Sequence, residues 1–448
     1  MTQSIDSDKK PLIGFFPLFY NLAESGIAVL IAKRYKELGG KAIFFSHGGK
    51  YEYLAKEIGC KVVRAKPIYT EQFIEHLWKC SRMNELKPPF SKKILLEHVE
   101  AEIAAYKKAG VKMILTTNNF PCSISARAAQ IPLISVTPLA MGKFTKYPDD
   151  AEFFFTRFIP HSWKLKILNW YFPRTRSWAR PFEKVAKKYP HTPIPKLTSD
   201  INKGDYNFFL DVMELLDLEK SDISTNNYYI GPIFLDQLFA KSFSEKISMG
   251  ETNDIKQHLQ KPGKSIMISL ASSGTKEILL KILETLNETD YNVIAIYTSI
   301  LKEDELPKLN DNILLKKFVP SLKTVNQSVD LAILHGGHGT VYTAAYSGKP
   351  VIGFPMQFEQ HLNLEMLVKH GTAVIASRKY FKEKNLLKNI SMIFDNYDKY
   401  LKNAQKLSNI LPKSQGDKNA VKIILKILER EGLTSPHIIK DEGIKKNE

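Results

Sequence analysis

LAILHGGHGTVYTAAYSGKPVIGFPMQFEQHLNLEMLVKHG, residues Leu331–Gly371, is the stretch that decides the fold. It opens with an uninterrupted apolar run ending at His335, the pattern of a buried strand. Gly336, Gly337 and Gly339 follow, and they let the backbone turn tightly and come close to a ligand. Thr340 opens a helix. The unpaired N–H groups and the positive dipole end at that point favour a diphosphate. The Thr340 hydroxyl adds a donor, and the His335 ring either donates to a phosphate oxygen or caps the turn. A glycine-rich turn that binds nothing has the same local pattern, so the neighbouring segments must decide.

Downstream, Pro350 leads into a strand ending at Pro355, and Glu359, Gln360 and Asn363 stand just beyond it. A carboxylate and amides at a strand's carboxyl end can bond several sugar hydroxyls. Capping of the helix that follows is the alternative use for Glu359 and Gln360. Upstream, the apolar run Ser265–Ala271 leads into Ser272-Ser273-Gly274-Thr275, again small polar residues opening a helix. These could hold the same diphosphate from its other side. Phe318-Val319-Pro320 ends a third strand, where a backbone edge could read a nucleobase.

Further outward, apolar runs alternate with amphipathic segments along most of the chain. Strands are expected at Leu12–Pro17, Ala42–Ser46, Val62–Ala65, Met113–Thr117 and Leu133–Thr137. Further strands are expected at Tyr206–Asp211 and Asn227–Gly231, with helices at Gly26–Leu38, Tyr51–Ile58 and Lys92–Ala109. A second series begins at Ser265–Ala271 and continues through Val293–Thr298, Ile313–Val319, Leu331–Leu334, Val351–Phe354 and Ala373–Ala376. Strands separated by helices mean a parallel sheet with crossover helices. At 448 residues the chain exceeds what one core usually serves. The expected organisation has a loose tail (1–10), an N-terminal domain (11–235) with an aromatic and basic insertion (144–195), and a linker (236–261). A second domain (262–415), a final helix (416–433) that can cross back to the first domain, and a charged tail (434–448) complete it. Ligands of such sheets sit at the carboxyl ends of the strands, so two facing lobes would share one cleft.

The order and spacing of these residues resemble the donor-site signature of the UDP-glycosyltransferase superfamily, of the bacterial macrolide and flavonoid glycosyltransferase type. That signature runs His-Gly-Gly-x-Gly-Thr, Gly-x-Pro, Pro, an Asp-Gln pair and an Asn. Here the matching residues are His335, Gly336, Gly337, Gly339, Thr340, Gly348, Pro350, Pro355, Gln360 and Asn363. The resemblance implies a GT-B fold, two Rossmann-like parallel-sheet domains facing across a cleft, with residues 11–235 binding the acceptor and residues 262–415 the nucleotide-sugar donor. It also implies transfer, with inversion, of a hexose-type sugar from a nucleotide-diphosphate sugar to an acceptor hydroxyl. In that scheme His335, Thr340 and Ser273 face the diphosphate, Val319 the base, and Glu359 and Gln360 the sugar. Three departures stand out. Glu359 replaces the family's Asp. Thr343 falls where a Glu commonly holds the ribose hydroxyls, and it cannot accept two bonds from a diol, so a dTDP-sugar fits beside a UDP-sugar. The His that usually follows the first strand and deprotonates the acceptor is absent between Asn21 and Gly26.

Two residues are candidates for the missing base. Glu24 sits near the position of the absent His, and His47 ends the second strand before Gly48-Gly49. Asp-x-Asp, the metal-binding triplet of other transferases, occurs only at Asp6-Ser7-Asp8 in the tail, so no metal and no cofactor beyond the nucleotide-sugar co-substrate is expected.

The net charge of +17 favours an anionic partner. Nine Lys/Arg against one acidic residue fall between Arg157 and Lys188, among Trp163, Trp170 and Trp178. Cationic and aromatic side chains together suit an anionic membrane surface and an amphiphilic or lipid acceptor held by those tryptophans. A tryptophan-anchored subdomain with a basic solvated face is the plainer alternative. No zinc-finger, helix-turn-helix or RNP-type pattern supports nucleic acid. Cys60, Cys80 and Cys122 show neither metal nor disulfide spacing, and Pro17, Asn21, Glu24 and Gly26 interrupt the apolar N-terminal run. A cytoplasmic protein, peripheral at the inner membrane face, is expected. Two rival functions bind the same donor: a nucleotide-sugar epimerase on this fold, and a catalytically silent nucleotide-sugar-binding protein or scaffold.

Overall fold

The structure, a computed structural model, describes residues 10–81, 85, 87–138, 158–216, 218–219, 225–236, 238, 249–271, 274–297, 300–319, 321–377, 381–413 and 415–434. Seven parallel strands form the first sheet: β1 (Leu12–Pro17), β2 (Lys41–Ser46), β3 (Lys61–Arg64), β4 (Met113–Thr117), β5 (Leu133–Thr137), β6 (Tyr206–Phe209) and β7 (Asn227–Tyr229). Their order is β3-β2-β1-β4-β5-β6-β7. Six more form the second: β8 (Ser265–Ser269), β9 (Asn292–Ile296), β10 (Ile313–Lys316), β11 (Leu331–Leu334), β12 (Val351–Gly353) and β13 (Ala373–Ile375). These are ordered β10-β9-β8-β11-β12-β13. In each sheet the order reverses beside the first strand, between β1 and β4 and between β8 and β11. That reversal opens a crevice at the strands' carboxyl ends.

Local chemistry sets the elements that matter. β1 (LIGFFP) and β8 (SIMIS) are apolar on both faces because helices cover both sides of a parallel sheet. The helix after β1 begins at Leu22, four residues before the start its periodicity suggests. Asn21 caps it, its side chain accepting from the Ala23 N–H at 3.0 Å. That cap puts Glu24 in the first turn, beside the positive end of the dipole. In the second lobe Thr275 caps the helix Lys276–Asn287 by accepting from Ile278 N at 3.4 Å.

The segment 236–261, read as a linker, contains the helix Met249–Leu259. The last described helix, Gly416–Arg430, returns to the first lobe. Its Ala420, Val421, Ile424, Ile427 and Leu428 join the core around Ile27, Val29 and Ile31. Each buried aliphatic side chain there contributes about 1.5–3 kcal/mol. The two chain crossings between lobes touch each other. Asn419 donates to the Ile230 carbonyl at 2.9 Å, and a Cβ on Gly416 would lie 2.4 Å from the Gly231 carbonyl oxygen. Only glycine permits that approach. All three cysteines are buried and unbridged. Among the described residues no helix is long and apolar enough to cross a membrane.

Candidate active site between the lobes

The glycine-rich turn leaves β11 at Leu334 and packs too tightly for side chains. Gly336 has φ +86°, and a Cβ there would lie 2.6 Å from Leu364 Cδ1 and 2.7 Å from the Gln360 carbonyl oxygen. A Cβ on Gly337 would strike His335 Nε2 at 2.3 Å. Gly337 then acts as N-cap of the helix His338–Ser347, without any side-chain cap. Thr340 N and Val341 N both turn back to the Gly337 carbonyl, at 3.0 Å each. The His338 and Gly339 N–H groups find no acceptor among the described residues, and a Cβ on Gly339 would meet nothing within 4 Å. Unpaired donors, the dipole's positive end and open space therefore coincide at one point, the requirement for binding an anion.

The other predicted donor residues divide. Burial pushes the His335 ring down to about 4, so it is neutral near pH 7, and its Nδ1 is buried without a partner among the described residues. The Thr340 hydroxyl is engaged, donating to the Gly337 carbonyl at 2.8 Å. Gln360 is buried, and its side-chain oxygen accepts from Met356 N at 2.8 Å. Asn363, also buried, donates to the Gly336 carbonyl at 3.1 Å and to Glu359 Oε1 at 2.9 Å. Asn363 thus ties the glycine turn to the helix Phe358–Lys369, whose N-cap Gln357 has no side-chain capping bond, so neither Glu359 nor Gln360 caps that helix. Glu359 stays partly exposed at the cleft, and burial raises its carboxyl above the ordinary range. Thr343 is buried and donates to the Gly339 carbonyl at 2.7 Å. Val319 is buried at the end of the β10 segment. Gly274 donates to the Leu270 carbonyl at 3.0 Å, beside Ala271 at φ +45°. Ser272 and Ser273 lie outside the described residues.

Glu24 forms the opposite wall. Its carboxyl is pushed up to about 7, first by burial and then by the negative charge of Glu359 from the other lobe. A hydrogen bond from Asn118 and the proximity of His338 act in the opposite sense. Asn118 Nδ2 donates to Glu24 Oε1 at 2.5 Å, and Asn202 Nδ2 donates to Asn118 Oδ1 at 2.5 Å. The Thr117 hydroxyl donates to the Glu24 carbonyl at 2.9 Å. Asn118, directly after β4, has φ +60°, a left-handed conformation that costs a non-glycine residue about 1 kcal/mol or more. The carboxylate is thus held from backbone and side chain, with Oε2 left over.

His47 has a different setting. It is buried, with Nδ1 3.0 Å from the carbonyls of both Ala65 and Pro67 and Nε2 2.9 Å from Glu102 Oε1. Glu102 is fully buried and also accepts from Asn119, Ser125 and Tyr106. Both ring nitrogens are engaged in a network inside the lobe, so His47 is not offered to an acceptor.

The three tryptophans also part company. Trp163 and Trp170 are 64% and 63% exposed on the helix His161–Tyr171, whereas Trp178 packs beside Phe182 and Phe90. Phe158, Ile167 and Tyr171 are exposed with the first two. Residues 163, 167, 170 and 171 share one face at helical spacing. Sequence reasoning passed over four cleft residues: Asn118, Asn202, Asp211 and His338. His338 stood inside the quoted motif, and the pair Asn118-Asn119 after an apolar strand was a visible signal. Nothing local marked Asn202 or Asp211.

Two Rossmann-like parallel-sheet lobes facing across a cleft define the GT-B architecture. Residues 268–423 match the Glycosyltransferase family 28 C-terminal domain. A PGL/p-HBAD biosynthesis glycosyltransferase of Mycobacterium tuberculosis is 24% identical over 300 residues, 64% of each chain. The match thus spans a little under two thirds of that relative's length. Among solved structures, the calicheamicin glycosyltransferase CalG4 superposes with TM-score 0.66 at 11% identity, covering 94% of this chain and 99% of that one. The spinosyn rhamnosyltransferase SpnG, complexed with thymidine diphosphate, gives TM-score 0.58 at 13% identity, covering 94% and 100%. The chain has the GT-B fold of these glycosyltransferases.

Proposed function

We propose that this protein transfers a hexose-type sugar, with inversion, from a UDP- or dTDP-sugar to a hydroxyl of a small or lipid acceptor. The observation that carries this reading is Glu24, held by Asn118 and close enough to Glu359 and His338 of the donor lobe to feel their charges.

In the reaction, Glu24 takes the proton of the acceptor hydroxyl as its oxygen bonds to the anomeric carbon. The bond from that carbon to the diphosphate breaks on the opposite face, and the nucleoside diphosphate leaves with the electron pair. The N–H groups of His338 and Gly339 and the helix dipole stabilise that charge, with no metal invoked. A carboxyl near 7 suits a base at neutral pH, because it is available as carboxylate yet basic enough to take a proton. Glu359 is the group assigned to the sugar hydroxyls. The burial of Thr343 favours a deoxyribose donor, since no carboxylate or exposed acceptor stands there for a ribose diol. SpnG, of the same fold, was solved with thymidine diphosphate.

Trp163, Ile167 and Trp170 are exposed on a helix that also carries exposed Lys166, and the Arg174 guanidinium lies 5.6 Å over the Trp170 ring, which supports a peripheral site on an anionic membrane and an amphiphilic acceptor.

The test incubates the protein with UDP- and dTDP-hexoses, with and without a lipid extract or a panel of alcohols and phenols. Nucleotide release that requires acceptor is the expected result. Glu24→Gln should lower kcat for alcohol acceptors by about 10²–10⁴. Binding without release, or an altered sugar on intact nucleotide, would replace transfer by the silent-binding or epimerase reading.

A further inference from the structure

Asn202 stands at the far end of a chain of side chains drawn from three places in the first lobe. It closes the short 3₁₀ helix Thr198–Asn202, just ahead of β6. Asn118 follows β4, and Glu24 lies in the first turn of the helix after β1. Asn202 Nδ2 donates to Asn118 Oδ1, and Asn118 Nδ2 donates to Glu24 Oε1, each at 2.5 Å. The 3₁₀ helix is itself held from several sides. Ser135 Oγ, in β5, donates to the Asn202 carbonyl at 2.6 Å, and Ile201 joins the core that contains Phe182, Val185 and Ala186. Asp200 accepts from the N–H groups of Lys196 and Leu197 at 3.0 and 2.8 Å, and Thr198 N donates to the Thr175 carbonyl at 2.8 Å. Asn202 therefore presents its amide from a fixed backbone. Thr175, Phe182 and Val185 belong to the aromatic and basic segment 144–195, so the segment that carries Trp163 and Trp170 also backs this chain of amides.

We propose that Asn202 is a positioning residue for the acceptor base: it fixes which end of the Asn118 amide meets Glu24, and so keeps that carboxyl ready to take a proton. The proposal rests on the reading of Glu24 as the base. An amide has one donating end and one accepting end. In the observed orientation the Asn118 N–H supports the Glu24 carboxylate. Turned over, Asn118 sets its oxygen against Glu24, where it repels the carboxylate and accepts from the protonated acid. A donor at one end of Asn118 and an acceptor at the other select the first orientation, and Asn202 is that donor. The other titratable groups that bear on Glu24 are Glu359 and His338, from the second lobe, and Tyr20, just ahead of its own helix. Asn202 acts through Asn118, and this dependence gives the proposal its test.

The experiment is the pH profile of kcat/KM for acceptor-dependent nucleotide release by the full-length protein, with UDP- and dTDP-hexoses and an alcohol acceptor. The carboxylate is the active form, so a raised Glu24 moves the acid limb alkaline. Asn202→Ala leaves the Asn118 amide free to turn. It should move the limb alkaline by about half a unit, about a threefold loss on the acid side, with the high-pH plateau kept. Asn202→Asp puts an acceptor where the donor stood and attracts the Asn118 N–H away from Glu24, and its charge acts in the same sense. The limb should then move by about one unit or more. In an Asn118→Gly background, Asn202→Ala should move nothing further, because the intermediary is gone. Thermal melting checks that each variant is folded, and Asn202→Asp, nearly the same shape, decides if Asn202→Ala does not fold. A limb that stays in place in the folded variant, or one that Asn202→Ala moves equally with and without Asn118, would overturn the proposal. A limb that persists in Glu24→Gln instead removes Glu24 as the base, and this reading falls with that one.

Discussion

Replacing Asn118 by glycine isolates what its amide does to Glu24. Glycine accepts the φ of +60° without strain, so the turn after β4 survives while the donor to Glu24 Oε1 disappears. A hydrogen bond to a charged group is worth about 1.5–3 kcal/mol, and about 1.4 kcal/mol corresponds to one pKa unit. The lower end applies here, because water entering the cleft replaces part of the lost bond. Glu24 stands at about 7 with the bond in place, and losing a donor that favours the carboxylate moves it upward. The expected position is therefore about one unit higher. The active form of the base is the carboxylate, so activity rises with pH and the acid limb of the kcat/KM profile reports this group in the free enzyme. In Asn118→Gly that limb should move alkaline by about one unit. At pH 7 the loss of ionised Glu24 alone should slow the reaction about fivefold, and most of that loss should return at higher pH. The assay is nucleotide release under kcat/KM conditions from pH 5.5 to 9.5. A limb that stays in place in Asn118→Gly, or one that also persists in Glu24→Gln, would refute the reasoning.

Gly339→Ala places a methyl in open space at a helix start, so it should leave thermal stability unchanged or slightly raised while weakening UDP or dTDP binding at least tenfold by titration. Gly336→Ala should do the reverse in kind. Its Cβ meets Leu364 and the Gln360 backbone at a positive φ, so the melting temperature should fall by several degrees. His47→Ala removes a partner of the buried Glu102 and should cost about 3–5 kcal/mol in denaturant unfolding of the first lobe. Nucleotide affinity of the folded fraction should not change. Trp163→Ser combined with Trp170→Ser should abolish sedimentation with anionic phosphatidylglycerol vesicles at low salt, with activity on a water-soluble acceptor retained. Equal sedimentation of both proteins would remove the membrane reading.

The sequence by itself determined the two-sheet architecture and the place of the glycine turn that opens the helix His338–Ser347. Buried parallel strands must be apolar on both faces, and a turn such as Gly336-Gly337 tolerates no Cβ, so both leave local marks. Glu24 was also legible, as a carboxylate in the first turn after β1. Tertiary structure decided how each candidate is used. Gln360, Asn363 and Thr340 carry side chains suited to a sugar or phosphate, yet neighbouring backbone groups engage all three. Glu24 was the first candidate to take a proton and His47 the second; packing encloses His47 in a network inside the lobe and leaves Glu24 facing the donor lobe. Asn202 lies 84 residues from Asn118, and Asp211 lies 127 from His338. Hydrogen bonds across such separations depend on how the crossover helices and the two lobes pack. That packing is a sum over many weak contacts, and it writes no pattern into the residues that finally meet.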